Sequence, residues 1–121
     1  MNNTILVVED DEDIVENIQL VLEIEGYRVD IATNGRAALE VLNRADPLPC
    51  VILLDLMMPV MSGAEFRDAQ LADPRIAATP VVLMTADGCL VEKTTRFGAA
   101  GAIRKPFEIA ELLGVVKRFA H

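Results

Sequence analysis

The sequence is poor in aromatics: no tryptophan, one tyrosine and four phenylalanines, or 4% of 121 residues. A flavin carrier would want aromatic faces for its ring and a loop for its phosphate, and neither is evident. No GxxxxGK[ST] segment occurs, so a nucleotide-hydrolysing enzyme of the kind that cradles phosphates in a glycine-rich loop is excluded. Basic residues are outnumbered, 11 Lys and Arg against 19 Asp and Glu, for a net charge of -8. Direct nucleic-acid binding needs a basic footprint, and that balance argues against it. The two cysteines, Cys50 and Cys89, stand in apolar surroundings with neither CxxC nor metal-ligand spacing, and read as buried free thiols. The single histidine, His121, is terminal, a poor place for catalysis. No apolar run approaches the roughly 20 residues of a membrane-spanning helix, and Met-Asn-Asn-Thr lacks the basic region that leads a signal peptide. These absences predict a soluble cytoplasmic protein with no membrane partner.

What is present is 52% apolar residue content in a length that suits one domain with a real core. Short apolar runs alternate with amphipathic stretches. "TILVV" (4–8), "CVILLD" (50–55) and "PVVLMTA" (80–86) read as buried strands, and "GAIRK" (101–105) as a short one. "YRVDIA" (27–32) alternates as an edge strand would. Ile14, Ile18, Val21 and Leu22 recur at helical spacing up to Gly26, and Ala38, Leu39, Val41 and Leu42 mark a second helix that stops before Pro47. Ser62 with Glu65 forms a capping-box pattern for a third helix, which fades near Asp73-Pro74. A weaker helix covers roughly residues 89 to 97, and Ile109, Leu112, Leu113, Val116 and Phe119 line a last one. Strands that are apolar throughout belong to a parallel sheet covered on both faces, so five β-α units predict a doubly wound α/β domain.

Ligands of such sheets bind outside the carboxyl ends of the strands. Those ends carry Glu9-Asp10, Asp55, Thr85 and Lys105-Pro106. The acidic run Glu9 to Asp13 has two readings, a solvated helix start or a cation site. Asp55, at the end of the apolar run in "VILLDLMMPVMSG" (51–63), favours the second, with helix capping as the competing role for one of the acids and Asp11 as the purest cap. Clustered carboxylates repel one another. A hard dication resolves the repulsion, and Mg2+ takes a few carboxylates plus water and phosphate oxygens. Lys105 adds an ammonium, Thr85 a hydroxyl, and a carboxylate can receive a phosphoryl group. Pro59 and Gly63 shape the turn after Asp55, and the Lys105-Pro106 bond is a candidate cis peptide.

This constellation resembles the receiver domain of two-component response regulators, of the chemotaxis-regulator-like kind. The resemblance spans essentially the whole chain through "ILVVEDD" (5–11), "VILLDLMMPVMSG" (51–63), "VVLMTA" (81–86) and "GAIRKPF" (101–107). It implies a flavodoxin-like fold, a five-stranded parallel sheet of order 2-1-3-4-5 with five helices. It implies Asp55 as phosphoacceptor, Glu9, Asp10, Asp55 and the Met57 backbone carbonyl as Mg2+ ligands, Thr85 as switch hydroxyl and Lys105 as the lysine of the site. The partners it implies are a sensor histidine kinase or histidine phosphotransfer protein, and a downstream protein target. The expected function is a phosphorylation-dependent signalling switch of a phosphorelay. Such a domain promotes its own phosphorylation and dephosphorylation, but it is chiefly a signalling domain rather than an enzyme. Residues 1–121 are expected to form one receiver domain with no output domain in this chain.

Two departures stand out. The family usually has an aromatic residue three positions before the lysine, and here that position is Ala102. The usual relay from hydroxyl to ring cannot operate as described, so the signal would pass through the loop after Thr85 and the helix near residues 89 to 97. The alternative is a receiver-like interaction module not switched by phosphate. Positions that tune phosphoryl lifetime fall at Met57, which is apolar, and Asp87, which is acidic, and their signs conflict.

Overall fold

The structure, a computed structural model, describes residues 3–58, 60–86 and 90–120, without the side chains of 90 and 91. The elements run β1 (Thr4–Val8), α1 (Glu12–Ile24), β2 (Arg28–Ala32), α2 (Gly35–Arg44), β3 (Val51–Asp55), α3 (Gly63–Ala72), β4 (Val81–Thr85), α4 (Leu90–Phe97), β5 (Gly101–Arg104) and α5 (Ile109–Lys117). All strand pairings are parallel and the order is β2-β1-β3-β4-β5. This is the doubly wound arrangement expected. The strand ends move by a residue: Tyr27, Cys50, Pro80, Ala86 and Lys105 flank strands rather than belong to them. Phe119 lies past the end of α5 yet still packs on the core.

The continuous apolar runs result from burial on both faces. Ile5, Val7, Val51, Leu53, Val82, Met84 and Ile103 point to one core with Ile18 and Leu22 of α1 and Leu112 and Val116 of α5. Leu6, Val8, Ile52, Leu54, Val81 and Leu83 point to the other, with Ala38 and Leu42 of α2 and Phe66 of α3. Successive strand residues alternate faces, so a strand covered on both sides has no polar position to offer. β3 and β4 are buried along their whole length, whereas β2 at the edge is only partly covered.

Local signals end the helices where chemistry dictates. Asp11 caps α1, its side chain accepting from the N–H groups of Asp13 and Ile14. The same helix closes with Gly26 at φ +92°, the Gly26 N–H donating to Glu23 O and the Tyr27 N–H to Leu22 O. This is the paired-bond stop that wants a left-handed residue. Ser62 and Glu65 form the reciprocal capping box of α3. Cys50 is a buried free thiol, pushed up by desolvation, and Cys89 lies outside the described residues. Among the described residues no helix is long and apolar enough to cross a membrane.

The buried face of α3 was not anticipated. It consists of Gly63, Phe66, Arg67 and Gln70, so two of four core positions are polar. The Arg67 guanidinium donates to Phe97 O (2.9 Å), Gly98 O (2.8 Å) and Gln70 Oε1 (2.7 Å). The Gln70 amide in turn donates to Ile76 O and Thr79 O, both at 3.0 Å. One side chain thus pins the carboxyl end of α4 to α3. Arg67→Met keeps the bulk but leaves three acceptors without that donor. It is expected to cost about 2–4 kcal/mol, read as a lower urea midpoint. A midpoint within about 0.5 kcal/mol of wild type would show that water replaces the guanidinium.

Candidate functional site

The carboxyl edge of the sheet gathers the residues singled out from sequence. Val8 pairs with Leu54, Asp55 with Met84 and Thr85 with Arg104. The strands therefore end level, and their last residues and the loops beyond them share one cleft. That cleft, of about 350 Å³, is lined by Glu9, Asp10, Asp55, Met57, Thr85 and Lys105 among others. Glu9 is fully buried, Asp55 and Thr85 nearly so, and Asp10 is exposed. Carboxylate oxygens of Glu9, Asp10 and Asp55 lie within 4.8 Å of one another, a set that fits a hard divalent cation. Lys105 bridges the acids, its Nζ donating to Glu9 Oε1 and standing 3.4 Å from Asp55 Oδ2.

The backbone makes this crowding stable. Asp55 Oδ1 accepts from the Met57 N–H at 3.1 Å, and Glu9 Oε2 from the Asp10 N–H at 3.2 Å. The Gly63 N–H donates to Leu56 O, folding the loop back over the end of β3. A Cβ on Gly63 would sit 2.5 Å from Asp55 O and 2.7 Å from Leu56 Cα, both backbone atoms, so only glycine fits. Val60 in the same loop adopts φ +69°, a left-handed conformation that a β-branched residue rarely takes. The Lys105-Pro106 peptide is cis, as expected, and the Lys105 N–H donates to Thr85 O at 2.7 Å. Met57 is exposed and Met58 packs against the second core. Pro59, Asp87 and His121 lie outside the described residues.

Sequence reasoning missed Lys93. It projects from α4, and its Nζ donates to Thr85 Oγ1 at 3.4 Å. The only signal for it was a lysine on the polar side of a short amphipathic helix, which by itself reads as a solvated residue. Ala102, on β5, pairs with Leu83 and packs against the second core together with Phe97.

Electrostatics in the cleft are unfavourable without a cation. Burial pushes the Glu9 carboxyl up to about 8; a hydrogen bond with Asp55 and the Asp55 charge add to the rise, while Lys105 opposes it. Desolvation wins because Glu9 is wholly enclosed and Lys105 is not. The folded-state value lies above the ordinary 4.5, so Glu9 favours folding only while protonated. Its contribution is lost as pH rises from about 4.5 through about 8. In EDTA, the wild-type urea midpoint is expected to fall across that window more than that of Glu9→Gln. At the alkaline end the variant is expected to be the more stable by about 1–3 kcal/mol, the lost contact with Lys105 offsetting part of the gain. Parallel curves would show that Glu9 does not titrate there.

A carboxylate trio, a lysine and a hydroxyl stand at the carboxyl edge of a five-stranded parallel sheet of order 2-1-3-4-5, a fold of the flavodoxin-like class. Residues 5–117 match the response regulator receiver domain, and the chain belongs to that family. It is 41% identical over 116 residues to the uncharacterized transcriptional regulatory protein YkoG of Bacillus subtilis, covering 93% of this chain and 49% of that protein. It is 38% identical over 117 residues to the response regulator ArlR of Staphylococcus saprophyticus, covering 93% and 50%. The chain thus spans about half the length of the curated relatives it matches. The chemotaxis protein CheY4 of Vibrio cholerae superposes with a TM-score of 0.88 at 31% identity, covering 98% of this chain and 99% of that one. The receiver domain of the sensor histidine kinase PA1611 of Pseudomonas aeruginosa, solved with a magnesium ion in its active-site cleft, superposes with a TM-score of 0.86 at 26% identity and 98% coverage of both chains.

Proposed function

We propose that this domain is a phosphorylation-dependent switch in which Asp55 accepts a phosphoryl group. The observation that carries the reading is the placement of Asp55. It is nearly buried at the end of the central strand, with Lys105 Nζ 3.4 Å from one oxygen and two further acids beside it. Glu9, Asp10 and Asp55, with the Met57 carbonyl, would hold Mg2+, which would neutralise charge on the phosphoryl oxygens as they approach the carboxylates. The donor is a phosphohistidine of a sensor kinase or phosphotransfer protein. An Asp55 carboxylate oxygen forms a bond to phosphorus as the phosphorus–nitrogen bond breaks, and the departing imidazole keeps the electron pair. The protein's part is positioning and charge. The Met57 N–H fixes one Asp55 oxygen so that the other faces the cleft. Lys105 supplies a cation to the transferred group, and Thr85 a hydroxyl that can donate to one of its oxygens.

The added charge biases a two-state element, which is how a small domain signals. We read residues 1–121 as one such unit, acting in the cytoplasm on a downstream protein. The relatives' names as transcriptional regulators belong to proteins twice this length.

Incubation with Mg2+ and acetyl phosphate is expected to add one phosphoryl group by intact mass. EDTA or Asp55→Asn should abolish the gain, and Lys105→Met should slow it about a hundredfold. Beryllofluoride, a stable mimic of the acyl phosphate, covers the case of rapid hydrolysis. The absence of both phosphorylation and beryllofluoride binding would overturn the reading in favour of an interaction module.

A further inference from the structure

We propose that the free edge of β2 pairs with β2 of a second copy of this chain, in an antiparallel register centred on Val29. β2 ends the sheet, with β1 on one side and, among the described residues, no strand on the other. The Arg28 N–H donates to Asn3 O, and Ala32 O accepts from the Glu9 N–H, both at 3.0 Å. Main-chain groups alternate sides along a strand, so Arg28, Asp30 and Ala32 turn theirs to β1. Val29 and Ile31 turn theirs to the open edge. An edge of this kind is a template for pairing with another chain.

The charge pattern selects the occupant. Tyr27-Arg28-Val29-Asp30-Ile31 is complementary to itself when reversed about Val29. Arg28 then stands opposite Asp30 of the second copy, and Asp30 opposite its Arg28, so opposite charges meet twice. Tyr27 and Ile31 face each other in the same way. Centring on Asp30 instead sets that carboxylate against itself. Arg28 and Asp30 share the α2 face of the strand with Ala32, along an open cleft of about 410 Å³ that Val41 and Arg44 also line. No ion pair joins either of them to another described residue. The Val29 N–H and C=O meet their own counterparts, and the Ile31 N–H donates to Tyr27 O. The Tyr27 N–H already donates to Leu22 O at 3.0 Å and is not needed. The contact is isologous and closes at two copies. No residue lining the acidic cleft belongs to β2, so both clefts stay open and the pairing does not depend on the role of Asp55.

One pair of five-residue strands buries little area, so the dimer is weak and is sought up to about 1 mM protein. Each copy carries a net charge of -8, so the measurement is made in about 0.15 M salt, where long-range repulsion is screened. The rotational correlation time of the whole chain, from 15N relaxation, is expected to rise about twofold with concentration as two copies pair. Exchange of the Val29 and Ile31 amides is expected to slow in step. Arg28→Asp and Asp30→Arg each set like charges opposite one another, and each alone is expected to stay monomeric. An equimolar mixture of the two variants, and the double variant Arg28→Asp/Asp30→Arg, restore opposite charges at both pairs and are expected to recover the dimer. Recovery separates pairing from damage to the fold, which the urea midpoint of each variant also checks. A wild type that stays monomeric at the highest concentration would overturn the proposal. So would a dimer that survives either single reversal, which places the contact elsewhere, or the lack of recovery in both the mixture and the double variant.

Discussion

The ion pairing of Lys105 with two buried acids is the constraint around which the domain is arranged. Glu9 is fully enclosed and Asp55 nearly so, and neither would tolerate burial as a bare charge. One ammonium faces three clustered carboxyl groups, and burial pushes Glu9 up to about 8, so the cleft does not hold three bare negative charges without a further cation. A protein built only for stability would replace such a group with apolar side chains of similar volume. Retaining it makes the edge of the sheet a place where an added cation would lower the energy. The rest of the fold serves to keep those charges from moving apart.

Rigidity comes from core packing together with a tightly closed backbone. β3 and β4 are buried throughout, so Asp55 and Thr85 stand on strands that cannot shift without disturbing both cores. The loop beyond Asp55 closes on the strand so tightly that Gly63 cannot carry a Cβ, and Val60 takes a left-handed conformation to complete the turn. Strained, over-determined backbone of this kind is tolerated where a geometry must be kept. Here it keeps the Met57 N–H on Asp55 Oδ1 and leaves Oδ2 to the lysine.

Most of this architecture was legible in the sequence because each feature has a local signature. Apolar runs such as "VILLD" mark doubly covered strands, Gly26 and Ser62 mark helix ends, and residues just after strands point to the binding edge. The convergence of Glu9, Asp10, Asp55, Thr85 and Lys105 came from topology alone once the strands were assigned. What escaped was polar and long-range. Arg67 and Gln70 occupy core positions of α3, which flattens its amphipathic pattern, and their partners lie at Phe97, Gly98, Ile76 and Thr79. Nothing near Arg67 in the chain announces a carbonyl 31 residues away. Lys93 was hidden for the same reason, since a lysine on a short helix looks solvated until the fold brings Thr85 beneath it.

The two polar contacts of α4, with Arg67 and with Thr85, differ in strength. A buried aromatic ring contributes on the order of 1.5–3 kcal/mol of transfer free energy, so moving one is a substantial rearrangement. A hydrogen bond exchanged for another, or for water, changes the balance by about 1 kcal/mol. Position 102 is alanine, so no ring stands there, and the contacts of α4 with Arg67 and Thr85 are of the second kind. The Arg67 cluster is buried and multiply bonded, which makes it the stiff end. The Lys93 contact with Thr85 is long and half-exposed, and is the weaker of the two. An eight-residue helix is too short to be stable by itself, so the order of α4 depends on the fold around it, the Arg67 cluster at its carboxyl end included.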